Sequence, residues 1–165
     1  KAAEWRIMRF RALAELGQVE SALAEATEGL KTYPDNLELL MLRHDLAAQQ
    51  GLDEVKKDSL TRLNAAAKAK APKDRTALDL VSLGRAALVL GADAQKVIAQ
   101  YFKTAQTKDA KLEAAYLAEG HLAFEKDDGK RAAALDLFFD FGGFGHNPRL
   151  STTRLIRQAL RHQPW

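Results

Sequence analysis

The chain contains no cysteine, so disulfides and thiolate chemistry are excluded and the redox compartment stays open. No apolar run approaches the ~20 residues needed to cross a bilayer. No signal-peptide core opens the sequence. It begins with Lys1 and not Met, which reads as a processed or excised piece; any export signal and the compartment are therefore left open. No strand-like alternation of useful length is present. No H-E-x-x-H occurs, and none of the four histidines (His44, His121, His146 and His162) is paired at ligand spacing. Without cysteine, a zinc site is not expected. No nucleophile, base and oxyanion set can be argued from spacing. The expectation is a non-enzyme without cofactor or metal.

What is present is a recurring helical hairpin. The chain has 165 residues, 47% apolar and 28% charged, ordinary for one folded domain or one short array. Gly17 and Gly51 lie 34 residues apart, and each ends a helical stretch. A third copy ends at Gly91, after 80–90, and a fourth near Asp127-Asp128, after 116–123. Paired helices with a period in the mid-thirties mean stacked units, none of which buries its apolar face alone. Glycine at 17, 51 and 91 supplies the left-handed conformation that ends a helix. Pro34 and Pro72 stop helices, and Asp35-Asn36 and Lys73-Asp74 follow as capping material. Small residues at Gly84 and Gly120, and at Ala22, Ala26, Ala87 and Ala123, let partner helices approach closely. Helices are expected at about 3–16, 18–31, 36–50, 52–69, 74–90, 93–106, 110–126 and 130–141, with a last one at 152–162.

The units resemble the tetratricopeptide repeat (TPR), whose pattern is W-x2-L-G-x2-Y, then A-x3-F, then P. The third reads Leu80-x2-Leu83-Gly84-x2-Ala87 and the fourth Tyr116-x2-Glu119-Gly120-x2-Ala123. The first offers Gly17, Ala22-x3-Ala26 and Pro34; the second keeps Gly51 and Pro72, with about one extra helical turn. The resemblance covers about residues 3–128. It implies an all-α fold: about four stacked hairpins over 1–141 in a TPR-like right-handed α-solenoid, and a basic tail or capping helix over 142–165.

In that family the first helix of each hairpin lines a concave groove. The resemblance places Arg11 and Glu15, Asp45 and Gln49, Arg85 and Val89, and His121 and Glu125 there, as pairs four residues apart on one helical face. A second row would be Ile7, Met41, Val81 and Leu117. Mixed polar and apolar rows suit an extended peptide or a partner helix; the bland alternative is a solvated surface. The carboxylate-clamp subset needs Lys and Asn where this chain has Ile7, Arg11 and Leu42, so chaperone-tail binding is not expected. His44 stands where the repeat wants something small, and packing between helices is expected of it.

Other constellations read as structure. Asp127-Asp128 suits a hairpin turn. Gly142-Gly143-Phe144-Gly145 lacks the Lys-Ser or Lys-Thr of a phosphate loop and reads as a helix stop. Residues 129–165 hold Lys130, Arg131, Arg149, Arg154, Arg157 and Arg161 against Asp136 and Asp140, net +4. The whole chain is +3, so its basic character belongs to the tail. Within 152–162, Leu155, Ile156, Ala159 and Leu160 fall on one face, and Arg154, Arg157 and Arg161 on another. That suits a cap over the last repeat, a polyanion- or membrane-surface helix, or a truncated or out-of-frame end.

The function expected is a protein–protein interaction scaffold binding a peptide or partner helix in the groove; nucleic acid is not the expected ligand. Two alternatives stay open. One is an accessory repeat region of a larger enzyme, a secreted one included. The other is a polyanion or membrane-surface binder acting through the basic tail.

Overall fold

A computed structural model describes residues 2–125. The expected helices at 130–141 and 152–162, and the basic tail at 142–165, lie outside the described residues. The chain divides into two compact units, residues 1–118 and a second beginning at Glu119. Among the described residues every regular element is helical.

Helices α1 (Ala2–Glu15) and α2 (Val19–Thr32) form the first hairpin, and α3 (Leu37–Gln49) and α4 (Asp53–Ala69) the second. Helix α5 (Ala77–Val89) pairs with a composite helix, α6. In α6, Ala94–Val97 continues through a π-helical segment, Ile98–Phe102, into Lys103–Lys108. Helix α7 (Glu113–Glu125) follows and runs across the division between the units.

The turns repeat in atomic detail. Gly17, Gly51 and Gly91 all have positive φ, at 72°, 68° and 82°. At Gly17, its own N–H donates to the Ala14 carbonyl and the next N–H, of Gln18, to Leu13 (3.0 and 2.9 Å). The same two bonds recur at Gly51 (to Ala48, with Leu52 to Ala47) and at Gly91 (to Leu88, with Ala92 to Ala87). This doubled bond satisfies carbonyls that a helix end leaves open, and it needs a left-handed residue at the glycine. Some helix starts carry side-chain caps as well. Asn36 accepts from the Leu39 N–H at 2.8 Å and Asp93 from the Lys96 N–H at 3.0 Å. One expectation needs correcting. Lys73-Asp74 do not cap α5; Pro72–Asp74 make a single 3-10 turn, and Thr76 caps α5 in a reciprocal box with Asp79. Threonine accepts the third N–H while the aspartate reaches back, so this pair holds two otherwise open donors.

Within the first unit, α2 also packs on α3, and α3 on α5. One apolar core runs from Ile7 and Phe10 through Leu37, Leu40 and Met41 to Leu63, Leu83 and Ala86. A smaller one joins Leu80 and Val81 to Ala105 and Ala115. Close approach is made by small residues. Ala22 and Ala26 are fully buried. A methyl group at Gly84 would lie 2.5 Å from the Phe102 ring, and one at Gly29 would lie 2.6 Å from Leu39. Ala87 does not serve this way: it is half-buried, while its neighbour Ala86 is buried. His44 is buried at 3% exposure, as packing between helices requires.

Candidate partner-binding face

The first helices of the hairpins are linked by two ion pairs, and three of the four charges, Arg11, Asp45 and Arg85, belong to the expected row. Arg11 of α1 donates to the Glu38 carboxylate of α3 at 2.9 Å. Arg85 of α5 donates to the Asp45 carboxylate of α3, whose other oxygen lies 3.2 Å from His44 Nδ1. Glu38 and Asp45 are seven residues apart on α3, two turns along the same face. The helix α3 therefore holds α1 with one carboxylate and α5 with the other.

Three of the expected binding residues, Arg11, Asp45 and Arg85, are thus paired within the protein, with Arg11 and Arg85 still 51% and 42% exposed. Their counterparts one turn on, Glu15, Gln49 and Val89, are exposed, Val89 to 50%. His121 is exposed on α7, in the second unit. Glu125 is the last residue of α7, and its side chain lies outside what the structure describes. The second expected row does not line a surface. Ile7, Met41 and Val81 are 7%, 2% and 5% exposed and belong to the cores; Leu117 is half-buried. Ile7, Met41 and Val81 each stand four residues before a charged member of the first row, and packing between neighbouring helices closes over that end of the face.

Glu38 is the residue that spacing alone missed. Burial raises its carboxyl above the ordinary range; the Arg11 charge and hydrogen bond pull the other way, and Asp79 and Glu4 add to the rise. Its partner is 27 residues away, so no local pattern announces the pair. Its seven-residue offset from Asp45 was the readable signal.

A second feature lies between hairpins. A cleft of about 240 Å³ separates α4 from α5 and α6. Leu60, Leu63 and Ala67 form one wall, and Leu83, Ala86 and Leu90 the other. Tyr101, from the π-helical segment, and Arg75 also line it, the latter donating to the Ala67 carbonyl at 2.9 Å. Among the described residues no group of three His, Asp or Glu gathers as a metal site. No helix among them is long and apolar enough to cross a membrane. Comparison with protein-family models finds no match, and no curated protein matches the chain.

Proposed function

We propose that this chain is a protein-interaction module, a TPR-like α-solenoid that takes a peptide or a partner helix along the aligned face of its first helices. One observation carries the reading. The Arg11–Glu38 and Arg85–Asp45 pairs link α1, α3 and α5 across one face, with Glu15, Gln49 and Val89 exposed one turn further along it. Charges already paired within a surface are less available to a ligand than unpaired groups. The exposed row, one acid, one amide and one apolar side chain, is what remains to meet a ligand. The preference is for a mixed apolar and polar segment, held by contact and hydrogen bonding with little dependence on salt.

A peptide-library screen against the full chain, read by fluorescence anisotropy, tests this. Binders should survive about 0.5 M salt, where exposed charge pairs are screened. Val89→Glu should weaken them by about tenfold or more, roughly 1.4 kcal/mol, while Lys57→Ala on the exposed face of α4 leaves them unchanged. Binders indifferent to Val89→Glu, or lost as salt rises, would place recognition elsewhere.

A further inference from the structure

Helix α1 carries an apolar row that the described structure leaves uncovered. Trp5 and Met8 are 62% and 56% exposed, and Ala12 beside them is exposed. Their spacing puts all three on one helical face. The opposite face, with Ile7 and Phe10, is buried.

The internal repeat identifies the row. Aligning Gly17 with Gly51 and Gly91 sets Trp5, Met8 and Ala12 over Leu39, Leu42 and Leu46 of α3, and over Asp79, Ser82 and Ala86 of α5. Leu39 and Leu46 are 1% and 6% exposed, and Leu42 packs against the core. Asp79, Ser82 and Ala86 are buried. In α3 the cover is the second helix of the preceding hairpin, α2, whose Gly29 meets Leu39 so closely that a methyl group there would lie 2.6 Å away. In α5 the flanking helix is α4: Lys70, at its end, pairs with Asp79, and Leu63 and Ala67 stand across the cleft from Ala86.

We infer that the Trp5–Met8–Ala12 row is a docking face for a partner helix of the α2 kind. This rests on the tandem equivalence of the hairpins proposed above. The occupant is amphipathic, with glycine or alanine on its contacting stripe. Trp5 is bulkier than Leu39, so the residue opposite must be as small as Gly29. A second copy docked through the same row would set bulk against bulk. That makes a poor match for the close approach seen between α2 and α3, because tightly packed interfaces tolerate little excess volume.

The experiment supplies such a helix next to the row. Residues 2–34 are fused in tandem ahead of the full chain, which keeps the spacing from the added Gly29 to Trp5 equal to that from Gly29 to Leu39. Trp165→Phe throughout and Trp5→Phe in the added copy leave the original Trp5 as the sole tryptophan. Its emission should shift to the blue and its quenching by acrylamide should fall severalfold. Gly29→Leu in the added copy should reverse both. If Trp5 stays as quenchable as in the unfused chain, the proposal is overturned, whether or not the added hairpin is helical. A concentration-dependent shift unaffected by that Gly29→Leu change would assign the row to self-association and overturn it equally. Gly29→Leu in the unfused chain separates this from the repeat reading. It should lower the melting temperature through the α2–α3 junction. If it does so while Trp5 stays bare in the fusion, only the docking face fails; if it changes nothing, the tandem reading itself fails.

Discussion

Gly84 of α5 and Phe102 of α6 touch with no room between them: a Cβ at Gly84 would lie 2.5 Å from the ring and 3.0 Å from Tyr101 Cβ. Phe102 is fully buried and cannot swing aside into solvent. Gly84→Leu should therefore destabilise the third hairpin by about 1–3 kcal/mol, the usual cost of overpacking. Gly84→Ala should cost less, because its side chain ends at Cβ while leucine extends further into the ring; the roughly 1 kcal/mol of helix propensity over glycine comes with either residue. Arg85→Ala, one residue on, removes an ion pair whose arginine is 42% exposed, worth at most about 1 kcal/mol. Urea unfolding of the three variants checks the order; equal losses at 84 and 85 would show that the helix is turned differently.

The turn glycines should fail for a different reason. Nothing lies within 4 Å of a Cβ placed at Gly17, Gly51 or Gly91. Their constraint is the positive φ alone. Gly91→Ala should cost about 1–2 kcal/mol through backbone strain, and Gly91→Asn less, since asparagine enters the left-handed region more readily. At Gly84 the same asparagine should bring no relief. Thermal unfolding of Gly91→Ala, Gly91→Asn and Gly84→Asn, beside Gly84→Ala, separates strain from clash, and a harmless Gly91→Ala would contradict the account.

Local chemistry was readable in the sequence, and long-range geometry was not. A helix expected at 36–50 is Leu37–Gln49, and one at 52–69 is Asp53–Ala69, because caps and glycine stops act within a turn of themselves. The close approach at Gly84 was legible because only a small residue fits between crossing helices. The burial of Ile7, Met41 and Val81 was not legible: periodicity tells which residues share a face, not which neighbour covers it. The Arg11–Glu38 pair spans 27 residues and leaves no local pattern. The cleft between α4 and α5 depends on how two helices diverge, which the extra turn of α4 hinted at without fixing. Thr76, with Asp79 three residues on, was a capping signature open to reading from the start.

Glu38 should give the fold a measurable pH signature. Its folded-state pKa lies above its ordinary value, mainly through burial. Below the ordinary value both states carry the proton, and the contribution is fully present. As pH rises through the raised value, the folded chain must ionise a carboxyl it would keep neutral, and that stability is lost. Glu38→Gln cannot ionise. The urea midpoint of the unsubstituted chain, relative to Glu38→Gln, should therefore fall as pH goes from about 4 to about 6. Glu28 and Asp53 shift downward beside Lys31 and Lys56, but both chains carry them and they drop out of the difference. A relative midpoint that rises over this range would mean that Arg11 outweighs burial at Glu38.

The same enlargement should have opposite signs at two alanines of this fold. Ala22 is fully buried within the first hairpin, and a leucine there has no space to enter. Overpacking should cost about 1–3 kcal/mol. Ala87 is half-buried and lines the 240 Å³ cleft with Leu60, Leu63 and Tyr101. A leucine at 87 extends into that space, covers apolar walls now open to water, and keeps a strong helix former in α5. Cavity filling of this kind commonly gains about 0.5–2 kcal/mol. Urea midpoints of Ala22→Leu and Ala87→Leu should lie on opposite sides of the parent. Both falling together would mean that the cleft is closed in solution and that α4 packs against α5 as tightly as α2 does against α3.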